Sequence, residues 1–114
     1  MNSLSGKFEV EVGKKKYTCH LSMNAFRLLC ERENITFAQM DGYLSDKPLT
    51  AVPKVIWYGM VNNIYMTKGD LDKLPDYEYF ASQLLNDVSS IEMYSNLIGK
   101  AFAGEDDSDK EGNE

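Results

Sequence analysis

Histidine and cysteine are scarce in this chain, which limits the chemistry it can perform. The 114 residues include one histidine and two cysteines. His20 and Cys19 are neighbours on a predicted strand, so their side chains point to opposite faces and do not form a catalytic pair. One histidine and two cysteines also fall short of a metal-ligand set, and no Gly-rich phosphate-binding loop occurs. We therefore expect no catalytic residue, no metal site and no cofactor, and a protein that is not an enzyme.

Long apolar runs are absent as well. No stretch of about 18 apolar residues occurs, so we expect no membrane-spanning helix and no membrane partner. The first residues, Met-Asn-Ser-Leu-Ser-Gly, lack the apolar segment of a secretory signal. We therefore expect a cytoplasmic protein. In that compartment Cys19 and Cys30 are interpreted as reduced core thiols, with a disulfide or a redox pair as the alternative.

Basic surface is sparse, and the acidic charge is uneven. The formal net charge is −6, and six acids with one lysine lie in residues 105–114, so that segment carries −5 and the rest of the chain −1. Because residues 105–114 contain no apolar side chain to bury, we predict a disordered acidic tail there and one globular domain over 1–104. Nucleic-acid-binding domains gather basic residues on one face. Here only Lys14, Lys15 and Lys16 cluster, in a predicted turn, and we expect no nucleic-acid partner.

A β-hairpin is predicted for residues 7–21. Apolar residues alternate with polar ones on both sides of the segment Gly13-Lys14-Lys15-Lys16. One face of the hairpin carries the apolar side chains Phe8, Val10, Val12, Tyr17, Cys19 and Leu21. Since an isolated hairpin is marginally stable in water, we expect the following helices to cover this face.

Helical periodicity fills the rest of the chain. Five helices are predicted, at about 23–33, 37–45, 51–67, 76–87 and 90–103. Their starts are marked by Ser22, by the capping-box pattern from Thr36 to Gln39, by Asp76, and by a second capping-box pattern from Ser89 to Glu92. The predicted fold class is α+β and mostly α, with an N-terminal β-hairpin followed by about five helices packed as a small bundle.

The helix predicted at 51–67 is the most apolar segment. A helical wheel gives one core stripe, formed by Ile56, Trp57, Met60, Val61 and Ile64. Gly59 interrupts the helix at a cost of about 1 kcal/mol relative to Ala, which indicates close backbone packing. Four apolar residues fall outside the stripe, namely Val55, Tyr58, Tyr65 and Met66. These residues either complete a core that surrounds the helix or form a partner-binding surface, because Tyr and Met are favoured at interfaces.

The N-terminal third of the chain resembles a known family. Residues 6–40 contain four elements in order. They are a strand of the pattern apolar-x-apolar, a basic turn that begins with glycine, a strand of the pattern Tyr-x-apolar-x-Leu-Ser, and a helix. The residues that carry this pattern are Phe8, Val10, Val12, Gly13, Tyr17, Cys19, Leu21, Ser22, Ala25, Leu28, Leu29 and Glu31. The arrangement is similar to that of the tail assembly chaperones of long-tailed phages and the related small tail proteins of gene transfer agents. This similarity in sequence pattern extends over residues 6–103.

The resemblance implies a phage or prophage tail assembly chaperone that is absent from the finished virion. Such a protein binds the tape-measure protein and assists polymerisation of tail-tube protein around it. It acts in the cytoplasm of the bacterial host, and a homo-oligomer is one possible state. The alternative is a structural tail protein or a generic helical protein-interaction adaptor without a chaperone role. For the chaperone, the predicted partner-binding residues are Val55, Tyr58, Tyr65 and Met66.

Overall fold

The computed structural model describes residues 6–103, and the predicted acidic tail at 105–114 lies outside the described residues. Two antiparallel strands, β1 (Lys7–Val12) and β2 (Lys15–His20), form the predicted hairpin. Gly13 has a positive φ of 65° in the two-residue connection, a conformation that tight hairpin turns require and that glycine adopts without strain. The apolar face carries the fully buried Val10 and Cys19.

Five helices follow the hairpin, which confirms the predicted fold class. They are α1 (Met23–Glu33), α2 (Met40–Asp46), α3 (Pro48–Thr67), α4 (Tyr77–Leu84) and α5 (Val88–Ala103). Short 3₁₀ turns at Phe37–Gln39 and Leu71–Lys73 precede α2 and α4. None of the helices within residues 6–103 combines the length and the apolar character needed to cross a bilayer.

Helix α3 is the centre of the domain. It packs against β2, α1, α2, α4 and α5. It starts at Pro48, three residues before the predicted start, because proline suits the first turn of a helix, where its missing N–H is not needed. Pro53 consequently lies inside the helix rather than in its first turn. Gly59 packs against the side chains of Cys19 and Leu21 of the hairpin, which confirms the predicted close packing of the helix backbone at this residue.

Several helix ends differ from their predicted form. The Ser22 side chain precedes α1 but makes no capping hydrogen bond; its Oγ instead accepts one from Asn62. The capping box of Thr36 and Gln39 is present as predicted. Helix α5 starts two residues before its prediction because Asp87 accepts hydrogen bonds from the Ser89 backbone and hydroxyl. Lys68 has the left-handed conformation at the end of α3.

Two apolar residues near the starts of helices are exposed. Val88, at the start of α5, is 86% exposed, since the first turn of α5 extends beyond the helices beneath it. Phe37 is half exposed, although its ring still contacts that of Phe102 at a centroid distance of 5.2 Å. Conversely, Asn62, which the wheel placed outside the core stripe, is completely buried.

Candidate functional site

The four predicted partner-binding residues do not form one surface. Val55 and Tyr58 are 1% and 6% exposed, whereas Tyr65 and Met66 are 44% and 62% exposed. The expectation that all four share a free face is therefore wrong for Val55 and Tyr58. The physical reason is that α3 is surrounded by other elements between Ala51 and Asn62 and emerges from them toward its C-terminal end.

Tyr58 belongs to a network that joins α1, α3 and α4. Its hydroxyl donates a hydrogen bond to Glu33 at 2.8 Å, and Glu33 also lies 3.2 Å from the Lys54 ammonium. Lys54 in turn sits 4.3 Å above the ring centroid of Tyr77, a cation–π contact. Burial, followed by the Glu33 carboxylate, raises the pKa of Tyr58, and burial raises the pKa of Tyr77 to about 12. These phenols stay protonated and act as structural hydrogen-bonding and packing groups.

A groove lies between α1, α3 and the segment that precedes α4. We call it the Trp57 groove; it has a volume of about 240 Å³ and is lined by Arg32, Trp57, Val61, Leu71, Leu74 and Pro75. The Arg32 guanidinium donates a hydrogen bond to the Tyr65 hydroxyl at 3.3 Å, and that bond raises the pKa of Arg32. Tyr65 is thereby connected to Arg32 of the lining, and the exposed Leu71 lines the groove itself.

Neighbouring elements hold the groove in shape. The Trp57 ring packs against those of Tyr77 and Phe80, each at a centroid distance of 5.4 Å. Asp70 accepts a hydrogen bond from the backbone of Asp72, which fixes the 3₁₀ turn that presents Leu71. A preformed apolar groove with Trp, Tyr and Arg at its margins is typical of protein interaction sites, where these residue types contribute most of the binding energy.

The Trp57 groove continues into a larger, charged depression, which we call the lysine cleft. This cleft has a volume of about 720 Å³. Val12, Lys14, Lys15 and Tyr17 of the hairpin line one side, Asp72, Lys73 and Tyr79 line the other, and Leu74 and Pro75 lie between them. Leu74 and Pro75 line both depressions, so the two adjoin each other along the segment between the 3₁₀ turn and α4.

A second apolar depression lies on the far side of α1, and we call it the α1 groove. It has a volume of about 320 Å³ and is lined by Met23, Phe26, Arg27, Cys30, Glu31, Ile35, Thr36 and Phe37. Met23 and Phe37 are exposed, and an ion pair between Arg27 and Glu31 at 3.1 Å spans the rim. Burial raises the pKa of the Cys30 thiol, which disfavours the reactive thiolate.

The reactive side chains remain separate from one another. Cys19 and Cys30 are free thiols, and the Cys19 thiol donates a hydrogen bond to the Ile56 carbonyl at 3.6 Å. Burial raises the pKa of Cys19. The His20 Nδ1 atom is buried and has no hydrogen-bond partner within residues 6–103. In the same described range, no group of three His, Cys, Asp or Glu side chains is placed to hold a metal ion.

Comparison with protein-family models, curated proteins and solved structures gave no match to this chain. The function is therefore inferred from the residues of this chain and from the surfaces that they form.

Sequence reasoning missed most of the Trp57 groove. Arg32 lies in the last turn of α1, and Leu71, Leu74 and Pro75 lie in a segment interpreted only as the end of one helix and the start of the next. The available signal was the sequence Gly-Asp-Leu-Asp-Lys-Leu-Pro, which places two leucines between helices. Apolar side chains in a loop are stabilised by packing against neighbouring elements, and here they lie beside α3.

Proposed function

We propose that this protein is a non-enzymatic tail assembly chaperone of a phage or prophage. It acts in the cytoplasm of the bacterial host, binds the tape-measure protein and assists assembly of the tail tube. The sequence support is the resemblance carried by the hairpin and first helix, from Phe8 to Glu31. The structural support is the Trp57 groove, which is lined by residues of α1, α3 and the segment before α4.

The Trp57 groove is the observation that carries the proposal. A tape-measure protein is a long apolar helix, and such a helix binds by placing apolar side chains from successive turns into a groove. The floor of the groove is apolar, with Trp57, Val61 and Leu74. The exposed Leu71 lines the groove, and the exposed Tyr65 is hydrogen-bonded to Arg32 of the lining, so both side chains are available to contact a bound helix.

Co-purification with the tape-measure protein tests the proposal. In the chaperone's genomic setting, a major tail protein gene lies upstream and a very long helical reading frame lies downstream. The protein encoded by that long frame should co-purify with this chain when the two are co-expressed. The double variant Tyr65→Ala with Leu71→Glu should abolish co-purification, because truncation of an anchor costs about 2 kcal/mol or more in binding. Both residues are exposed, so circular dichroism and thermal melting should show an intact fold.

The matched control changes exposed apolar residues outside the groove. Leu49→Glu with Val88→Glu alters two side chains that are more exposed than Tyr65 and Leu71, and it should leave co-purification unchanged. Full binding by the groove variant would refute the assigned surface. Flanking genes of a metabolic pathway, with no long helical frame, would refute the chaperone itself.

The α1 groove favours one alternative, an adaptor or structural tail protein. A second exposed apolar depression, with Met23 and Phe37 at its surface, suits a protein that bridges two partners and remains between them. The two functions differ in where the protein ends up. Mass spectrometry of purified virions should detect a structural component at a fixed ratio to the tail-tube protein, and should not detect a chaperone.

A further inference from the structure

The lysine cleft gives the surface around the Trp57 groove a definite charge. Lys14 and Lys15 extend from the tip of the hairpin, and Lys73 faces them from the 3₁₀ turn. Asp72 is the one acidic residue in the lining. The cleft therefore has a net positive charge in a chain whose formal net charge is −6.

These lysines are not used in ion pairs with described residues. Within residues 6–103, the ion pairs are Arg27 with Glu31 and Lys54 with Glu33. Lys14, Lys15 and Lys73 have no described carboxylate within the 4.0 Å that defines such a pair. They line the same cleft as Leu74 and Pro75. The surface thus offers cations next to an apolar floor.

We propose that the segment bound by this surface is an acidic amphipathic helix. Its apolar side chains occupy the Trp57 groove, and its carboxylates lie against Lys14, Lys15 and Lys73. This inference rests on the proposed function, because it specifies the chemistry of the partner segment that binds there. Leu74 and Pro75 line both depressions. One bound helix can therefore place apolar side chains in the groove and carboxylates against the lysines. Complementary charge of this type fixes the register of a helix and rejects basic partners.

A nucleic acid fits the same surface less well. Phosphate backbones are bound by extended basic surfaces, whereas here Asp72 lines the cleft itself. The adjoining groove is lined by Trp57, Val61 and Leu74, which stabilise hydrophobic side chains rather than a charged backbone. We therefore assign a peptide, and DNA serves as a competitor in the test.

Two designed peptides test the charge preference. Both are helices of roughly 18 residues, about five turns, with leucines at the same helical spacing; one carries Glu beside the leucine stripe and the other carries Gln. Trp57 is the one tryptophan in the chain and lines the groove, so its fluorescence reports occupancy directly. At low salt the Glu peptide should bind about tenfold more tightly, as expected for three exposed ion pairs. That advantage should shrink in high salt because of screening.

Matched lysine variants locate the preference. The triple variant K14Q/K15Q/K73Q should bind both peptides with the lower affinity of the Gln peptide. The control K7Q/K47Q/K100Q removes the same charge from three exposed lysines elsewhere, and it should keep the tenfold preference. Since every changed lysine is exposed, melting curves should remain close to that of the unchanged protein.

The possible failures are distinguishable. Equal affinity for the two peptides, or an equal loss in both triple variants, overturns the acidic preference and leaves the groove and the proposed chaperone intact. Stronger competition by an oligonucleotide than by the Glu peptide also overturns it. Unchanged Trp57 fluorescence with both peptides overturns the docking surface itself, and co-purification with the tape-measure protein then decides separately whether the chaperone function stands.

Discussion

Gly59 of α3 lies so close to Cys19 of β2 that a methyl group on Gly59 would overlap the Cys19 sulfur. The same methyl group would lie 2.8 Å from a methyl carbon of Leu21. The Cys19 thiol also donates a hydrogen bond to the carbonyl of Ile56, one turn before Gly59. The backbone of α3 therefore packs directly on the apolar face of the hairpin, and glycine is the residue that permits this approach.

We expect Gly59→Ala to destabilise the protein. Alanine is favoured over glycine by about 1 kcal/mol in a helix, but forcing a methyl group into a packed core costs about 1–3 kcal/mol. The strand and Leu21 must shift to make room, so the second effect should prevail. Urea unfolding measures the difference. The matched control is Gly99→Ala in α5, where nothing lies within 4 Å of the new methyl group; it should raise stability. A stabilised Gly59→Ala variant would contradict the close packing.

Asn62→Ala should be among the more damaging substitutions of a polar residue. The buried Asn62 amide donates hydrogen bonds to the His20 carbonyl at 3.0 Å and to the Ser22 hydroxyl at 3.1 Å. Its carbonyl accepts one from Asn24 at 2.8 Å. Removing it leaves these groups without partners, and each unsatisfied buried group costs about 1–3 kcal/mol. We expect a loss of at least about 2 kcal/mol in the free energy of unfolding.

The neighbouring Asn63 provides the control for this substitution. It is only partly buried, and its side chain makes no hydrogen bond with the described residues, so Asn63→Ala should change stability by less than about 0.5 kcal/mol. Equal effects of the two substitutions would show that the hydrogen bonds of Asn62 contribute little.

Tyr58 and Tyr65 should respond differently to truncation. Tyr58→Ala empties a buried site and should cost about 3–5 kcal/mol, the range for large aromatic side chains in a core. Tyr58→Phe keeps the ring, loses the bond to Glu33, and should cost about 1 kcal/mol. Tyr65→Ala should cost less than about 1 kcal/mol because the residue is 44% exposed and lies outside the core. Thermal melting of the three variants checks this order, and a Tyr65→Ala variant as unstable as Tyr58→Ala would contradict it.

Stability should depend on pH through His20. Burial, followed by the charge of Lys7, lowers the pKa of His20 from its ordinary value of 6.5. The unfolded chain then binds a proton more readily than the folded one, so stability is full above pH 6.5 and falls as the pH drops through the lowered pKa. Urea midpoints at pH 7.5 and 5.5 should differ, and His20→Gln should reduce that difference. The same pH dependence in the variant would exclude His20 as its source.

Local sequence patterns were sufficient to predict the hairpin and α1. Alternation in 7–21 and the apolar stripe from Ala25 to Leu29 each describe an element that buries one face. The same reasoning did not predict which side chains of α3 are buried. A helical wheel with a single apolar stripe cannot represent a helix that is covered by five neighbouring elements. The signal was present in the apolar side chains on all faces from Ala51 to Val61, a pattern typical of a buried helix.

Features that depend on distant partners were not accessible from the sequence. Asn62 is buried because its hydrogen-bond partners lie in β2 and α1, and nothing in its neighbours along the chain indicates this. The Trp57 groove likewise requires the turn at Leu71–Lys73 to pass beside Arg32 and Trp57. The lysine cluster at the hairpin tip was visible, but its apolar neighbours come from the start of α4.

The contacts of Asn62 also bear on the order of events during translation. Its partners lie 38 to 42 residues earlier in the chain, so the hairpin leaves the ribosome well before the helix that covers it. A hairpin alone is marginally stable, and nascent domains are most prone to aggregate while apolar strands are uncovered. The first 60 or so residues therefore emerge as an incomplete unit, and stable structure forms only once the second half of α3 has been synthesised.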